Sequence, residues 1–218
     1  ELDRSGLHEH VNPTGSLVFP NLRSVGLDET RVVICGQDPS PDQRFATGYA
    51  FSIPQIFDKS EFPASLKIIF KELSSDTAVE YPRHGDLSRW VEQGVLLWNV
   101  IPTCSAGVSR SHDWREYHNL TREVLRRVAA RGAVFCFLGA VAKSYADEVG
   151  LDNPNCPVLL LGHPSPRGNL NSSFPFTGSR MFSTVNEKLN SIGLTPIDWR
   201  VDAGAGIVSS EDLEGHAP

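Results

Sequence analysis

Four short, continuous apolar runs limit the fold most strongly: RVVICG at 31 to 36, VLLWNV at 95 to 100, AVFCFLG at 133 to 139 and PVLLLG at 157 to 162. They are too short for ordinary helices and too unbroken for strands with one wet face. Such runs read as strands buried on both sides, the condition of a parallel sheet with helices on its two faces. The stretches between them carry helical periodicity. From Ser65 to Ser74, Leu66, Ile69, Phe70 and Leu73 share one face. The segment from Asp86 to Gln93 opens on a capping Asp and stops at Gly94, and a longer one from Glu116 to Arg131 stops at Gly132. Two more run from Ala140 to Val149 and from Ser179 to Ser191, each ahead of a glycine. Strands alternating with helices predict an α/β fold, a single domain over residues 1–201 with a central, mainly parallel four-stranded sheet flanked by helices. Residues 202–218, DAGAGIVSSEDLEGHAP, are small, acidic and aperiodic, and read as a flexible tail.

Composition narrows the function classes. The chain has 26 acidic against 20 basic residues, a formal charge of -6. That excludes coating nucleic acid by bulk positive charge but leaves room for a local basic cleft. No stretch approaches the roughly 20 apolar residues of a membrane span, so no membrane association is expected. The opening ELDRSGLHEH lacks the apolar core of a signal peptide. Cys35, Cys104, Cys136 and Cys156 form no CxxC pair, and lie mostly in or beside apolar runs. They read as reduced structural thiols of a cytoplasmic protein rather than as zinc or iron-sulfur ligands.

In open parallel sheets, ligands lie beyond the carboxyl ends of the strands, where neighbouring loops converge. The first apolar run is followed by Gln37, Asp38 and Pro39. The second ends around Asn99, and the fourth leads into His163, Pro164, Ser165 and Pro166. Taken singly, an Asp before Pro is commonly a turn residue, a strand-ending Asn likewise, and a His before Pro a hydrogen-bonded loop residue. Together they bring a carboxylate, a carboxamide and an imidazole to one sheet edge, which predicts a site.

These residues also carry a specific resemblance. GQDP at 36 to 39, GYAFS at 48 to 52, FPASLKIIFKEL at 62 to 73, DLSRWVEQGVLLWN at 86 to 99, HPSP at 163 to 166 and GSRMFSTVNEKLNSIGLTPIDW at 178 to 199 are similar to family-1 uracil-DNA glycosylases, in order over about 32 to 199. The resemblance implies an enzyme that extrudes a uracil nucleotide from DNA and hydrolyses its N-glycosidic bond, leaving an abasic site for base excision repair. It makes Asp38 and His163 the catalytic pair. Asp38 orients or deprotonates the attacking water and faces the cation-like sugar, while His163 and backbone N–H groups near Gln37 bind the leaving anion. Phe51 becomes the floor beneath the base, and Asn99 reads its Watson-Crick edge. Gln37 and Ser40 complete the substrate pocket. Pro63, Ser65, Ser165, Arg167 and Arg180 become the DNA contacts; Arg110, also a source of local positive charge, reads better as a solvated side chain. No metal and no cofactor are needed. DNA, single- or double-stranded, is the expected partner of a monomer, together with a proteinaceous inhibitor of the family; in a bacterium the work would be at the nucleoid.

Three features depart from the family pattern. Ser40 stands where a Tyr usually follows GQDP and screens out C5 methyl groups, which raises the alternative of a C5-substituted base, from thymine to a larger modified pyrimidine in foreign DNA. Arg167 stands in place of the Leu that wedges into the duplex. The segment holding Ser111, His112 and Trp114 resembles the family's Ser-His stretch but is shorter, and His112 reads equally as a DNA contact or a plain loop residue. A non-catalytic DNA-binding or lesion-sensing homologue is the remaining alternative. It is disfavoured because a binder has no need of Asp38, and the lack of GxGxxG or Walker loops disfavours a nucleotide-binding protein.

Overall fold

The computed structural model describes residues 11–170 and 172–202. Its centre is one sheet of β2 (Val32–Gly36), β3 (Val95–Asn99), β5 (Val134–Leu138) and β6 (Val158–Leu161) in the order β3-β2-β5-β6, with every pairing parallel. Every residue of β2, β3 and β5 is buried, as their unbroken apolar sequences require.

The two faces of the sheet divide the core. Val32, Ile34, Val95, Leu97, Val134 and Cys136 point to one side, against α2 (Ala64–Thr77), α3 (Ser88–Val91) and α7 (Met181–Ser191). Val33, Cys35, Leu96, Trp98, Phe135 and Phe137 point to the other, against α4 (Arg115–Ala129) and α5 (Ala140–Lys143). On the first side Trp90, Phe182 and Trp199 pack edge to face, with centroids 5.1–5.8 Å apart, and so lock the C-terminal stretch over α3 and α7. On the second, Trp98 donates to Thr121 of α4 at 3.0 Å, and Thr121 donates to the Val100 carbonyl at 2.9 Å.

The predicted helix over 140–149 is broken. α5 stops at Lys143 and a 3-10 turn covers Ala146–Val149. The segment expected over 86–93 keeps one helical turn, α3, with Asp86 accepting from the Ser88 N–H at 2.9 Å. Elements without a sequence signature are α1 (Asn21–Ser24), α6 (Pro166–Leu170) and a two-residue antiparallel pair of β1 (Val11–Asn12) with β4 (Cys104–Ser105). Residues 203–218 of the expected tail lie outside the described residues. Asp202 itself accepts from the Arg83 N–H at 3.1 Å. No helix among the described residues is long and apolar enough to cross a membrane.

Candidate active site

The site begins with register. Gly36, the last residue of β2, pairs with Asn99, the last of β3. A Cβ on Gly36 would lie 3.0 Å from Asn99 Oδ1 and 3.1 Å from the Phe51 ring, so the absent side chain lets the carboxamide and the aromatic ring converge. Phe51 adopts a left-handed backbone with φ of 66°, a conformation that costs an aromatic residue about 1–3 kcal/mol. Its neighbours hold it there. The Ala50 N–H donates to the Leu97 carbonyl at 3.0 Å, Thr47 donates to the Ser52 carbonyl at 3.2 Å, and the Leu87 N–H donates to Ser52 Oγ at 3.0 Å. The strain is thus held from both sides, with the ring packed against the core.

His163 follows β6 and lies 6.0 Å from the Phe51 ring, centroid to centroid. Two glycines cradle it. A Cβ on Gly139 would sit 3.0 Å from His163 Cβ, and one on Gly168 2.6 Å from its carbonyl oxygen. Burial holds the imidazole below its ordinary pKa despite the opposing pull of Asp38, so the ring is neutral at neutral pH.

Asp38 is gripped by a second segment. Its Oδ2 accepts from the Ser109 hydroxyl at 2.7 Å and from the Arg110 N–H at 2.6 Å, while Oδ1 accepts from the Gln37 amide at 3.0 Å. Arg110 has a positive φ of 60°, and its guanidinium pairs with Asp113 at 2.6 Å. The side chain is thus half-exposed, in keeping with the solvated reading, and ion-paired besides, while its backbone reaches the carboxylate. Neither contact has a motif: the residues lie some 70 positions from Asp38. The turn after Asp38 is also braced. Asn12 donates to the Pro41 carbonyl at 2.7 Å, and the Cys104 thiol, raised to about 11 by burial and the Asp38 charge, donates weakly to the Pro39 carbonyl.

Asp38, Phe51, Asn99 and His163 line one cavity of about 240 Å³, with Ser40, Pro63 and Ser65 also on its wall. Asn99 is 7% exposed and its side chain makes no hydrogen bond among the described residues, which leaves its amide available to the cavity. Ser40 folds its hydroxyl back to accept from the Asp42 N–H at 3.2 Å. Gln37 stands beside the cavity, bonded to Asp38 and Ser109. Ser165 accepts from the Gly168 N–H at 3.1 Å and so caps α6, which carries the exposed Arg167.

Arg180 is not brought to the cavity wall. Its backbone is tied to Glu72, two turns or roughly 10 Å along α2 from Ser65. Glu72 is 2% exposed and also accepts from the Gly178 N–H at 2.6 Å. This buried carboxylate sets the loop before α7. Its place in an amphipathic helix gave no sign of that use.

His112 is held inside the protein. It is buried, with Nδ1 bonded to Thr103 at 2.8 Å and Nε2 to Ser105 at 3.2 Å, and it stacks on Trp114 at 4.4 Å. Its pKa is lowered by burial, like that of His163. In the unfolded chain both take a proton near pH 6.5, before the folded forms do. Stability is therefore full above that pH and falls as pH drops through it. Urea midpoints at pH 7.5 and 5.5 test this, with a lower midpoint expected in acid and a flatter profile after His112→Phe.

The four cysteines are free and buried, and no trio of His, Cys, Asp or Glu among the described residues is arranged to hold a metal.

A parallel α/β sheet that brings a carboxylate, a carboxamide and a neutral imidazole to its carboxyl edge, over a strained aromatic ring, defines an enzyme with a slot for a planar heterocycle. The model of the uracil DNA glycosylase superfamily matches residues 24–190, well over half the chain. The chain belongs to that superfamily. A uracil-DNA glycosylase of Azotobacter vinelandii is 39% identical over 196 residues, covering 88% of this chain and 81% of the relative, and one of Bacillus cytotoxicus is 35% identical over 88% of this chain and 82% of the relative. The crystal structure of mimivirus uracil-DNA glycosylase superposes with a TM-score of 0.80 at 25% identity, over 88% of this chain and 75% of that one. A mimivirus variant in complex with UGI gives 0.79 at the same identity and 88% and 76% coverage.

Proposed function

We propose that this chain is a uracil-DNA glycosylase acting in base excision repair, hydrolysing the N-glycosidic bond of an extruded uracil. The convergence of Asp38, Phe51, Asn99 and His163 on one cavity carries the reading. Extrusion costs a few kcal/mol of stacking and pairing, which stacking on Phe51 and hydrogen bonds to Asn99 offset. The amide accepts from N3–H and donates to O4. Cytosine offers the reverse at both positions, and in a buried site no water repairs the mismatch. As the bond breaks, Asp38 faces the cation-like sugar and orients water, and His163 donates to the oxygen that gathers the pyrimidine's charge. Pro63, Ser65, Ser165 and Arg167 approach backbone phosphates, and Arg180 acts at most from further along α2. Single- and double-stranded DNA are both taken as partners. A proteinaceous inhibitor belongs to this reading, because a mimivirus relative is solved in complex with UGI.

Ser40 favours a second substrate class. With its hydroxyl turned back to Asp42, Ser40 puts no ring on the wall; Phe45 and Tyr49, which also line the cavity, are held against Phe57 at 4.8 Å and against Ser24 at 2.6 Å. The wall therefore tolerates a C5 substituent. Oligonucleotides carrying uracil, thymine, cytosine and C5-modified pyrimidines, scored for alkali-labile sites, test both readings. Uracil release is expected, with measurable release of a C5-substituted base. Ser40→Tyr should cut release of the substituted base about tenfold or more and leave uracil within a few-fold. Strict exclusion of every C5-substituted base by the unmutated protein sinks the second reading, and absence of any cleavage sinks the first in favour of a binder.

A further inference from the structure

Phe174 is the most exposed aromatic side chain among the described residues, at 66%, yet its backbone is pinned. Its carbonyl accepts from the Gly162 N–H at 2.7 Å and from the Ser172 hydroxyl at 2.9 Å, and its N–H donates to Ser172 Oγ at 3.2 Å. Gly162 immediately precedes His163. A Cβ there would lie 2.8 Å from Ser172 Cβ and 3.2 Å from the Gly168 carbonyl, so the turn bearing Phe174, helix α6 and the end of β6 meet at one glycine. Two residues on, Phe176 is fully buried, and Pro175 between them fixes φ. The turn is anchored in the core on one side and, through Gly162, next to His163 on the other, while its ring is exposed to solvent.

We infer that Phe174 enters the duplex next to the extruded nucleotide and fills the space that the departed base leaves in the stack. A flipped nucleotide opens a gap one base step tall, and an apolar ring inserted there recovers stacking that water cannot supply. Arg167, exposed on α6 and without an ion pair among the described residues, is then free for phosphates or the orphaned partner base. The inference rests on the proposed action on DNA.

Single-turnover uracil release by Phe174→Ala is compared on one oligonucleotide, single-stranded and in duplex, with 2-aminopurine beside the uracil to report unstacking. The duplex rate is expected to fall about tenfold with the single-strand rate within twofold. Phe174→Trp should restore the duplex rate, and the fluorescence rise on binding should shrink in the Ala variant alone. Equal changes on both substrates, or none, overturn the wedge while leaving the glycosylase intact. Release from neither substrate by the unmutated protein overturns both.

Discussion

Asp38→Asn is expected to slow uracil release roughly 10³-fold while leaving folding and DNA binding close to those of the unmutated protein. The substitution keeps the shape and removes the charge. One oxygen remains to accept from Ser109 and the Arg110 N–H, which hold Oδ2 at 2.7 and 2.6 Å, and the Gln37 amide can rotate to meet the new NH₂ group. What disappears is the negative charge opposite a sugar that becomes cationic only as the bond breaks, so the loss falls on the transition state rather than on the bound ground state. The check is a single-turnover rate beside a DNA dissociation constant and a melting temperature. A drop below about tenfold, with binding intact, would show that the carboxylate is not the group the reaction depends on.

His163→Ala ranks second, with an expected loss of about 10²- to 10³-fold, the usual cost of removing one preorganised donor from a developing oxyanion. The imidazole suits this task because burial keeps it neutral and the two flanking glycines leave it little room to move. A neutral donor strengthens its bond as charge arrives and does not hold the product afterwards as an imidazolium would. His163→Gln, which restores an N–H donor on a more flexible chain, should recover part of the rate. Equal rates for the Ala and Gln variants would indicate that the ring acts by packing alone, and single-turnover kinetics at saturating enzyme distinguishes the outcomes.

The sheet was legible because three of its four strands are buried on both faces; β6, at the edge, departs from that expectation and leaves Leu160 37% exposed. Unbroken runs such as VVICG and VFCFL leave few alternatives, and the observed bounds differ from the predicted ones by a residue or so at either end. The gathering of Asp38, Asn99 and His163 followed from parallel topology, since residues after parallel strands share an edge. The grip on Asp38 was not legible. It comes from a backbone N–H in a left-handed turn and a serine hydroxyl, and neither leaves a trace in residue type. Glu72 was missed for a related reason. A carboxylate on an amphipathic helix reads as solvated, and only the loop that supplies its two N–H donors makes burial tolerable. His112 sat in a stretch that resembled a DNA contact, but packing against Thr103, Ser105 and Trp114 turned it inward.

The strand order has a consequence for how the enzyme comes into being. Asp38 follows β2 and Asn99 ends β3, both early in the chain, whereas His163 waits for β6, and the aromatic lock over α3 closes only with Trp199. A nascent or prematurely released chain therefore carries half a site with no imidazole and an uncovered core face. The sheet edge that carries the three polar groups is therefore complete only once β6 lies beside β5.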